Sequence, residues 1–132
     1  MIGFLLSIPQ SIQALPTKNI SINNTAFTVE IASTPQARAK GLMFRTELKN
    51  KEGMLFSYTK PRSVGIWMKN TYIPLDILWI NENNTIFYIH EKAVPHSLQI
   101  MRPNLPAKHV LELNAGSVKR YKIKAGNKVK LN

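Results

Sequence analysis

The stretch WMKNTYIPLDILWI, residues 67–80, joins a polar segment to an apolar one. Its first half carries a cation, an amide and a hydroxyl, and Asp76 is the only aspartate among the 132 residues. Residues 75–80 are almost continuously apolar, as is typical of a central β-strand that is covered on both faces. Polar residues bordered by core-forming ones usually hold a structure together or hold a ligand. The stretch therefore predicts a buried strand with a group of polar residues at its N-terminal end.

Short apolar or alternating runs predict the remaining strands, at residues 27–31, 54–58, 64–68, 86–89, 110–113 and 128–131. Thr34 and Pro35 indicate a helix start, because Thr is a favoured N-cap and Pro loses nothing at the first helical position. A second helical turn is predicted at residues 115–121, and residues 93–108 are predicted to form a long loop. This order predicts an α+β, strand-dominated compact single domain, either a small barrel or two packed sheets, with one or two short helices.

The N-terminal region is predicted to lie outside this domain. Residues 1–14 are mostly apolar and end in the small residue Ala14, which is typical of a signal-peptide remnant, although no basic residue precedes Lys18. A disordered or strand-forming N-terminus is the alternative. Residues 15–24 are predicted to be a linker and residues 25–132 the domain. Export would place the protein in the periplasm or outside the cell.

The chain is strongly basic, with 18 Lys and Arg against 7 Asp and Glu and a net charge of +11. Such a charge favours association with anionic surfaces, and an anionic envelope component is the expected partner. Nucleic acid is not expected, because the lysines are scattered and exposed aromatic residues do not alternate with them. The absence of cysteine excludes thiol catalysis and disulfides. We expect a monomer without a transmembrane segment.

Several short motifs follow one another in an order and spacing that indicate a family. They are GLMFR (41–45), GMLF (53–56), WMKNT (67–71), PLDI (74–77), VLELNAG (110–116) and GNxV (126–129). Together they resemble domain-of-unknown-function family 192, whose small bacterial and archaeal members often follow a signal sequence. The resemblance covers about residues 25–132, and Asn127 stands where the family more often has Asp. It implies a β-rich single domain and no particular reaction.

The polar members of these motifs are the candidate site residues: Arg45, Lys69, Asn70, Thr71, Asp76 and Glu112. Each borders apolar residues, and a buried charge must be paired or it is costly. In the structural interpretation, the two carboxylates neutralise Lys69 and Arg45. In the functional interpretation, the same cluster lines a pocket whose cations hold an anionic ligand. Both remain open, and we expect a non-catalytic binding or accessory module for a small anionic or cell-envelope ligand.

Acid–base catalysis is an alternative function. It would use Asp76 or Glu112 and requires a carboxyl group with a raised pKa that faces an open cleft. The sequence has no nucleophile elbow and no glycine-rich phosphate loop. The prediction therefore favours a protein that is not an enzyme and that needs no cofactor.

Copper binding is a second alternative. Thioethers suit copper(I), and Met43, Met54 and Met68 would act together with His90, His96 or His109. Core packing is the competing interpretation of Met43 and Met54, because Leu and Phe flank them. Since the ligand spacing is not diagnostic, no metal site is predicted.

Overall fold

Seven β-strands and two short helices make up the domain in the computed structural model, which describes residue 3 and residues 14–132. The elements are β1 (Thr17–Ile22), β2 (Thr25–Ala32), α1 (Pro35–Lys40), β3 (Glu52–Arg62), β4 (Leu75–Ile80), β5 (Ile86–Ala93), β6 (Ala107–Asn114), α2 (Ser117–Arg120) and β7 (Lys130–Leu131). Within this part of the chain, no helix is long and apolar enough to cross a membrane.

All the strands join one sheet in the order β5-β4-β6-β3-β2-β1-β7. Among the strands of residues 14–132, only β2 and β3 pair in parallel, and α1 lies in the connection between them. The C-terminal segment reaches both ends of the sheet: Ile86 of β5 bonds to Gly126 and Asn127, and Leu131 of β7 pairs with Ile20 of β1. The sheet is thus curled into a half-barrel. This confirms the strand-dominated domain, while the alternative of two packed sheets is wrong.

Most of the linker predicted at residues 15–24 is instead β1 and the turn that leads into β2. Ile20 and Ile22 are buried on β1, which pairs with β2 along its whole length. Asn23 and Asn24 both have positive φ angles, of 50° and 61°, as a tight hairpin turn requires. The segment was predicted to be a linker because most of its residues are polar, although Ile20 and Ile22 alternate with polar residues as in a strand. The predicted signal segment lies outside the described residues, apart from residues 3 and 14.

Two further details of β3 and its surroundings differ from the sequence prediction. Residues 64–68 form no strand, and only Ile66 makes a bridge, to Met101. The strand predicted at 54–58 continues through Pro61 to Arg62, with a shift in its pairing to β6 after Ser57. Such an irregularity accommodates a proline, which has no N–H to donate. The helix start is confirmed, since Thr34 Oγ1 accepts the Ala37 N–H at 3.1 Å.

The two faces of the sheet cover two separate hydrophobic clusters. On β4, Leu78 belongs to the first cluster and Ile77 to the second, because successive side chains of a strand point to opposite faces. On β6, Leu111 and Val110 are divided in the same way. Whether a polar residue on β4 or β6 has an odd or an even number therefore decides which face of the sheet its side chain lies on.

Candidate ligand-binding site

Asp76 is fully buried, and its carboxylate accepts hydrogen bonds from three backbone N–H groups. Its Oδ1 accepts the N–H of Lys92 at 2.9 Å, and its Oδ2 accepts those of Gly116 at 3.0 Å and Val118 at 2.9 Å. Helix α2 has Gly116 at its N-cap and no side-chain cap of its own. The Asp76 carboxylate, which lies on β4, thus caps helix α2, which follows the neighbouring strand β6. It accepts N–H groups that the start of a helix leaves without a partner.

The predicted neutralisation of Lys69 and Arg45 by Asp76 and Glu112 is wrong. Arg45 forms an ion pair with Glu30, the only such pair among residues 14–132. The Lys69 ammonium lies over the Trp67 ring, 5.2 Å from its centroid. Asp76 pairs with Leu113 and Glu112 with Ile77 in the β4–β6 register, so the two carboxyl groups point to opposite faces.

Asn70 and Thr71 shape the turn before β4, in which Asn70 has a positive φ of 52°. The Asn70 carbonyl accepts the Phe44 N–H at 2.8 Å, and the Thr71 hydroxyl donates to the Lys69 carbonyl at 3.0 Å. Thr71 thus holds the turn through its side chain, whereas Asn70 contributes its backbone carbonyl. Thr71 also lines a cavity, whereas Asn70 does not.

A cavity of about 410 Å³ lies between α1, β3 and the segment of residues 65–67. Of the six candidate residues, only Thr71 and Glu112 line it. Glu112 is 5% exposed and is one of the residues that line the cavity. Burial raises the pKa of Glu112 from 4.5 to about 8. The cavity therefore contains a carboxyl group that keeps its proton near neutral pH.

Two arginines that the sequence did not single out also line this cavity, and both lie over the ring of Tyr58. The guanidinium carbons of Arg38 and Arg62 lie 4.6 Å and 4.2 Å from the Tyr58 ring centroid. Arg38 is fixed further, since its Nη1 donates to the carbonyls of Ser33 at 2.8 Å and Ser57 at 3.1 Å. Neither guanidinium pairs with a carboxylate of the described chain. Two positioned, uncompensated cations thus face the same space.

The rest of the cavity lining is apolar apart from Lys40, and its larger apolar side chains are Leu42, Met43, Phe56, Ile66 and Trp67. A neighbouring hollow of about 320 Å³ shares Tyr58, Arg62 and Gly65 with the cavity and adds Arg102. Arg102 is held there by a bond from its Nη1 to Ser63 Oγ at 3.1 Å. The cationic lining therefore continues beyond the main cavity.

A weak sequence signal pointed to these arginines. Tyr58 and Arg62 are an even number of positions apart, which favours one face of a strand, but the strand was predicted to end before Pro61. Arg38 lies on the helix that Thr34 and Pro35 begin, and no local pattern in the sequence indicates that it is half-buried against Tyr58.

The model of DUF192, a family described as uncharacterized ACR, matches residues 18–131. The chain belongs to this family. Two solved structures are similar to the DUF192 domain described here. One, from Sinorhizobium meliloti 1021 and named a "putative transcription regulator", is 41% identical with a TM-score of 0.87, covering 89% of this chain and 95% of that one.

The other similar structure is a protein of unknown function from Novosphingobium aromaticivorans DSM 12444. It is 37% identical with a TM-score of 0.85, and the match covers 91% of this chain and 89% of that one. No curated protein matches this DUF192 domain in sequence. The comparisons therefore establish the family and support the half-barrel, and they supply no reaction.

The methionine and histidine residues of the copper hypothesis are dispersed in this DUF192 domain. Met54 and Met68 are buried in one hydrophobic cluster, as core packing predicts. His109 Nδ1 lies 2.7 Å from Ser57 Oγ, and His96 packs beside Tyr72 at the surface. Among residues 14–132, no three His, Asp or Glu side chains come together as a metal-binding group.

Proposed function

We propose that this DUF192 domain binds a small anionic ligand in the cavity between α1 and β3. The observation that carries the proposal is the pair Arg38 and Arg62, which are stacked on Tyr58, line the cavity and lack carboxylate partners in the described chain. Guanidinium groups bind carboxylate and phosphate through paired, charge-assisted hydrogen bonds. Because stacking fixes both groups in advance, little side-chain entropy is lost when the ligand binds.

Glu112 supports anion binding as long as it is protonated. A neutral carboxyl group donates one O–H bond and does not cancel the charge of the arginines. Since the pKa of Glu112 is about 8, this form dominates near neutral pH. We therefore assign Arg38 and Arg62 to the anionic group of the ligand and Glu112 to an acceptor oxygen elsewhere on it.

The apolar lining favours a ligand with a ring or hydrocarbon part beside its charge. Trp67 and Phe56 offer aromatic surface, and Ile66 and Leu42 offer aliphatic surface. An acidic sugar, a nucleotide or a phospholipid headgroup combines these properties. Of these, an envelope component fits best if the protein is exported, and we keep a periplasmic or secreted location as part of the proposal.

Isothermal titration calorimetry with acidic sugars, nucleotides and phospholipid headgroups tests the proposal. Duplex DNA belongs in the same screen, because the Sinorhizobium protein is named a putative transcription regulator. The binding-site variants are Arg38→Gln and Arg62→Gln. Arg120→Gln is the matched control, since Arg120 also lies over a tyrosine, Tyr121, but does not line the cavity. Binding that is unaffected by the first two variants would refute the site.

Acid–base catalysis is the second candidate function, and one observation favours it. Glu112 combines a raised pKa with a cavity, the two properties that a carboxylic general acid requires. Asp76 has no such support, because its two oxygens accept three backbone N–H groups. Glu112→Gln separates the two functions, since a binding module keeps its ligand in this nearly isosteric variant whereas an enzyme loses its turnover.

A further inference from the structure

Most of the exposed large apolar side chains of the described chain lie on one surface. Eight such residues are exposed, and six of them fall in residues 42–46, 66–72 and 92–102: Phe44, Trp67, Tyr72, Val94, Leu98 and Ile100. We call the surface formed by these three segments the apolar face. Clustered apolar exposure of this kind marks an interaction site, whereas scattered exposure does not.

Backbone hydrogen bonds join the three segments into one surface. The Phe44 N–H donates to Asn70 at 2.8 Å, the Met68 N–H to Ser97 at 2.9 Å and the His96 N–H to Thr71 at 3.2 Å. Aromatic contacts follow the same path, with Phe44 and Tyr72 centroids 6.3 Å apart and Tyr72 and His96 centroids 5.2 Å apart. The exposed side chains are therefore held together in the folded protein.

The unpaired charges within the three segments of the apolar face are all positive. Its three segments contain no Asp or Glu, while Lys69, Lys92 and Arg102 are exposed on them without an ion-pair partner in residues 14–132. Two copies that met through this face would bring like charges together, which disfavours a dimer. A Trp and a Tyr beside aliphatic residues and cations form the composition that suits the interface between a bilayer and water.

We propose that the apolar face docks this domain peripherally on a bilayer that carries anionic lipids. Leu98, Ile100 and Val94 would enter the headgroup boundary, and Lys69, Lys92 and Arg102 would contact the anionic headgroups. Trp67 would lie at the level of the headgroups, with Lys69 beside it. The proposal is independent of the ligand in the cavity, because it rests on exposed side chains outside that cavity, apart from Trp67 at its edge.

Vesicle sedimentation with the full chain tests this docking. Vesicles of phosphatidylcholine and phosphatidylglycerol in equal parts are compared with vesicles of phosphatidylcholine alone. We expect binding to the anionic vesicles, weakened by added salt. Leu98→Ser lowers the partition coefficient about tenfold and Lys69→Gln lowers it about fivefold.

Leu105→Ser is the matched control, because Leu105 is 61% exposed, close to the 64% of Leu98, but lies beside Phe87 and Tyr88 rather than on the apolar face. It is expected to keep wild-type binding. Equal binding to both kinds of vesicle, or equal losses in Leu98→Ser and Leu105→Ser, overturns the proposal. So does an absence of vesicle binding together with a dimer in analytical ultracentrifugation that Leu98→Ser dissociates, since the face then joins two copies.

Discussion

The Oδ2 atom of Asp76 accepts the backbone N–H of Val118 at 2.9 Å, linking β4 to helix α2 across 42 residues of chain. The same carboxylate also holds Gly116 and, through Oδ1, Lys92 on β5. One buried side chain thus fixes a strand, the neighbouring strand and a helix that has no side-chain cap of its own. The only aspartate of the chain is explained by structure rather than by chemistry on a ligand.

Asp76→Asn is therefore expected to destabilise the fold. The substituted amide presents N–H groups where the backbone also presents N–H groups, and at least one buried donor loses its partner. We expect the free energy of unfolding to fall by about 3 kcal/mol, which corresponds to a melting temperature lower by roughly 10 °C. Thermal and urea unfolding followed by circular dichroism measures both. Glu82→Gln, in an exposed turn, is the control, and an equally small effect in Asp76→Asn would contradict the capping role.

Gly53→Ala is expected to disrupt the pairing of β3 with β6. A Cβ at Gly53 would overlap the backbone oxygen of Glu112 and lie 2.8 Å from Leu113 Cδ2. Backbone cannot yield as a flexible side chain can, so we expect a loss of about 3 kcal/mol in unfolding free energy. Gly65→Ala is the comparison, because its Cβ would meet only the side-chain atoms of Arg102 and Ile100, which can move. Similar losses in both variants, measured by urea unfolding, would contradict this account.

Glu112 gives the stability of the domain a defined pH dependence. Below about pH 4.5, the carboxyl group is protonated in both the folded and the unfolded chain. Between that pH and about 8, the unfolded chain has lost the proton that the folded chain keeps, so stability falls as pH rises. Above the folded pKa the contribution is constant, and its full size is about 5 kcal/mol at most.

Glu112→Gln should remove this pH dependence while preserving the shape of the side chain. The variant is expected to match the wild type near pH 4 and to exceed it increasingly up to about pH 9. Comparing the two proteins cancels His109, whose pKa is lowered by burial and then by Lys108 and Lys18, and which therefore adds stability as pH rises toward 6.5. Urea unfolding across this range gives the difference curve. A flat curve would mean that Glu112 is ionised in the folded protein.

The arginine variants are expected to weaken anion binding while the domain stays folded, although Arg38→Gln also removes the bonds to the Ser33 and Ser57 carbonyls. Arg38→Gln and Arg62→Gln each remove charge-assisted hydrogen bonds, which predicts a dissociation constant about tenfold to hundredfold higher for a carboxylate or phosphate ligand. Arg120→Gln should leave the constant unchanged. Calorimetric titration measures the constants, and unfolding midpoints show whether the variants remain folded. If all three arginines prove equivalent, binding reflects the net charge of +11 and not the cavity.

The sequence predicted strands at β2 to β7, the start of α1 and the burial of residues 75–80, because these features depend on local periodicity and capping. The strand predicted at residues 64–68 is absent. The sequence did not predict β1, whose polar residues face solvent while Ile20 and Ile22 are buried. It also ended β3 too early, at Tyr58, because Pro61 indicates a break, whereas an irregular pairing accommodates that proline. The presence of β1 and the end of β3 both depend on pairing with strands that are distant in sequence. Local composition carries no information about that pairing.

The candidate site was predicted only in part, for a related reason. Residue type and apolar surroundings correctly indicated that Asp76 and Glu112 are buried. They could not indicate that the β4–β6 register sends these two side chains to opposite faces, which makes one a cap and the other a cavity residue. Nor could they indicate that Arg38, 20 positions before Tyr58, would stack on its ring.

The central claim is that Arg38 and Arg62 receive an anion in the cavity beside Glu112. The most direct test is a ¹⁵N NMR titration that follows the arginine Nε–H signals, assigned with the glutamine variants, as glucuronate, glycerol phosphate, inorganic phosphate or a nucleotide is added. We expect the signals of Arg38 and Arg62 to shift and saturate with at least one of these anions, while the signal of Arg120 stays in place. Signals that never saturate, or an equal shift at Arg120, would contradict a binding site in this cavity.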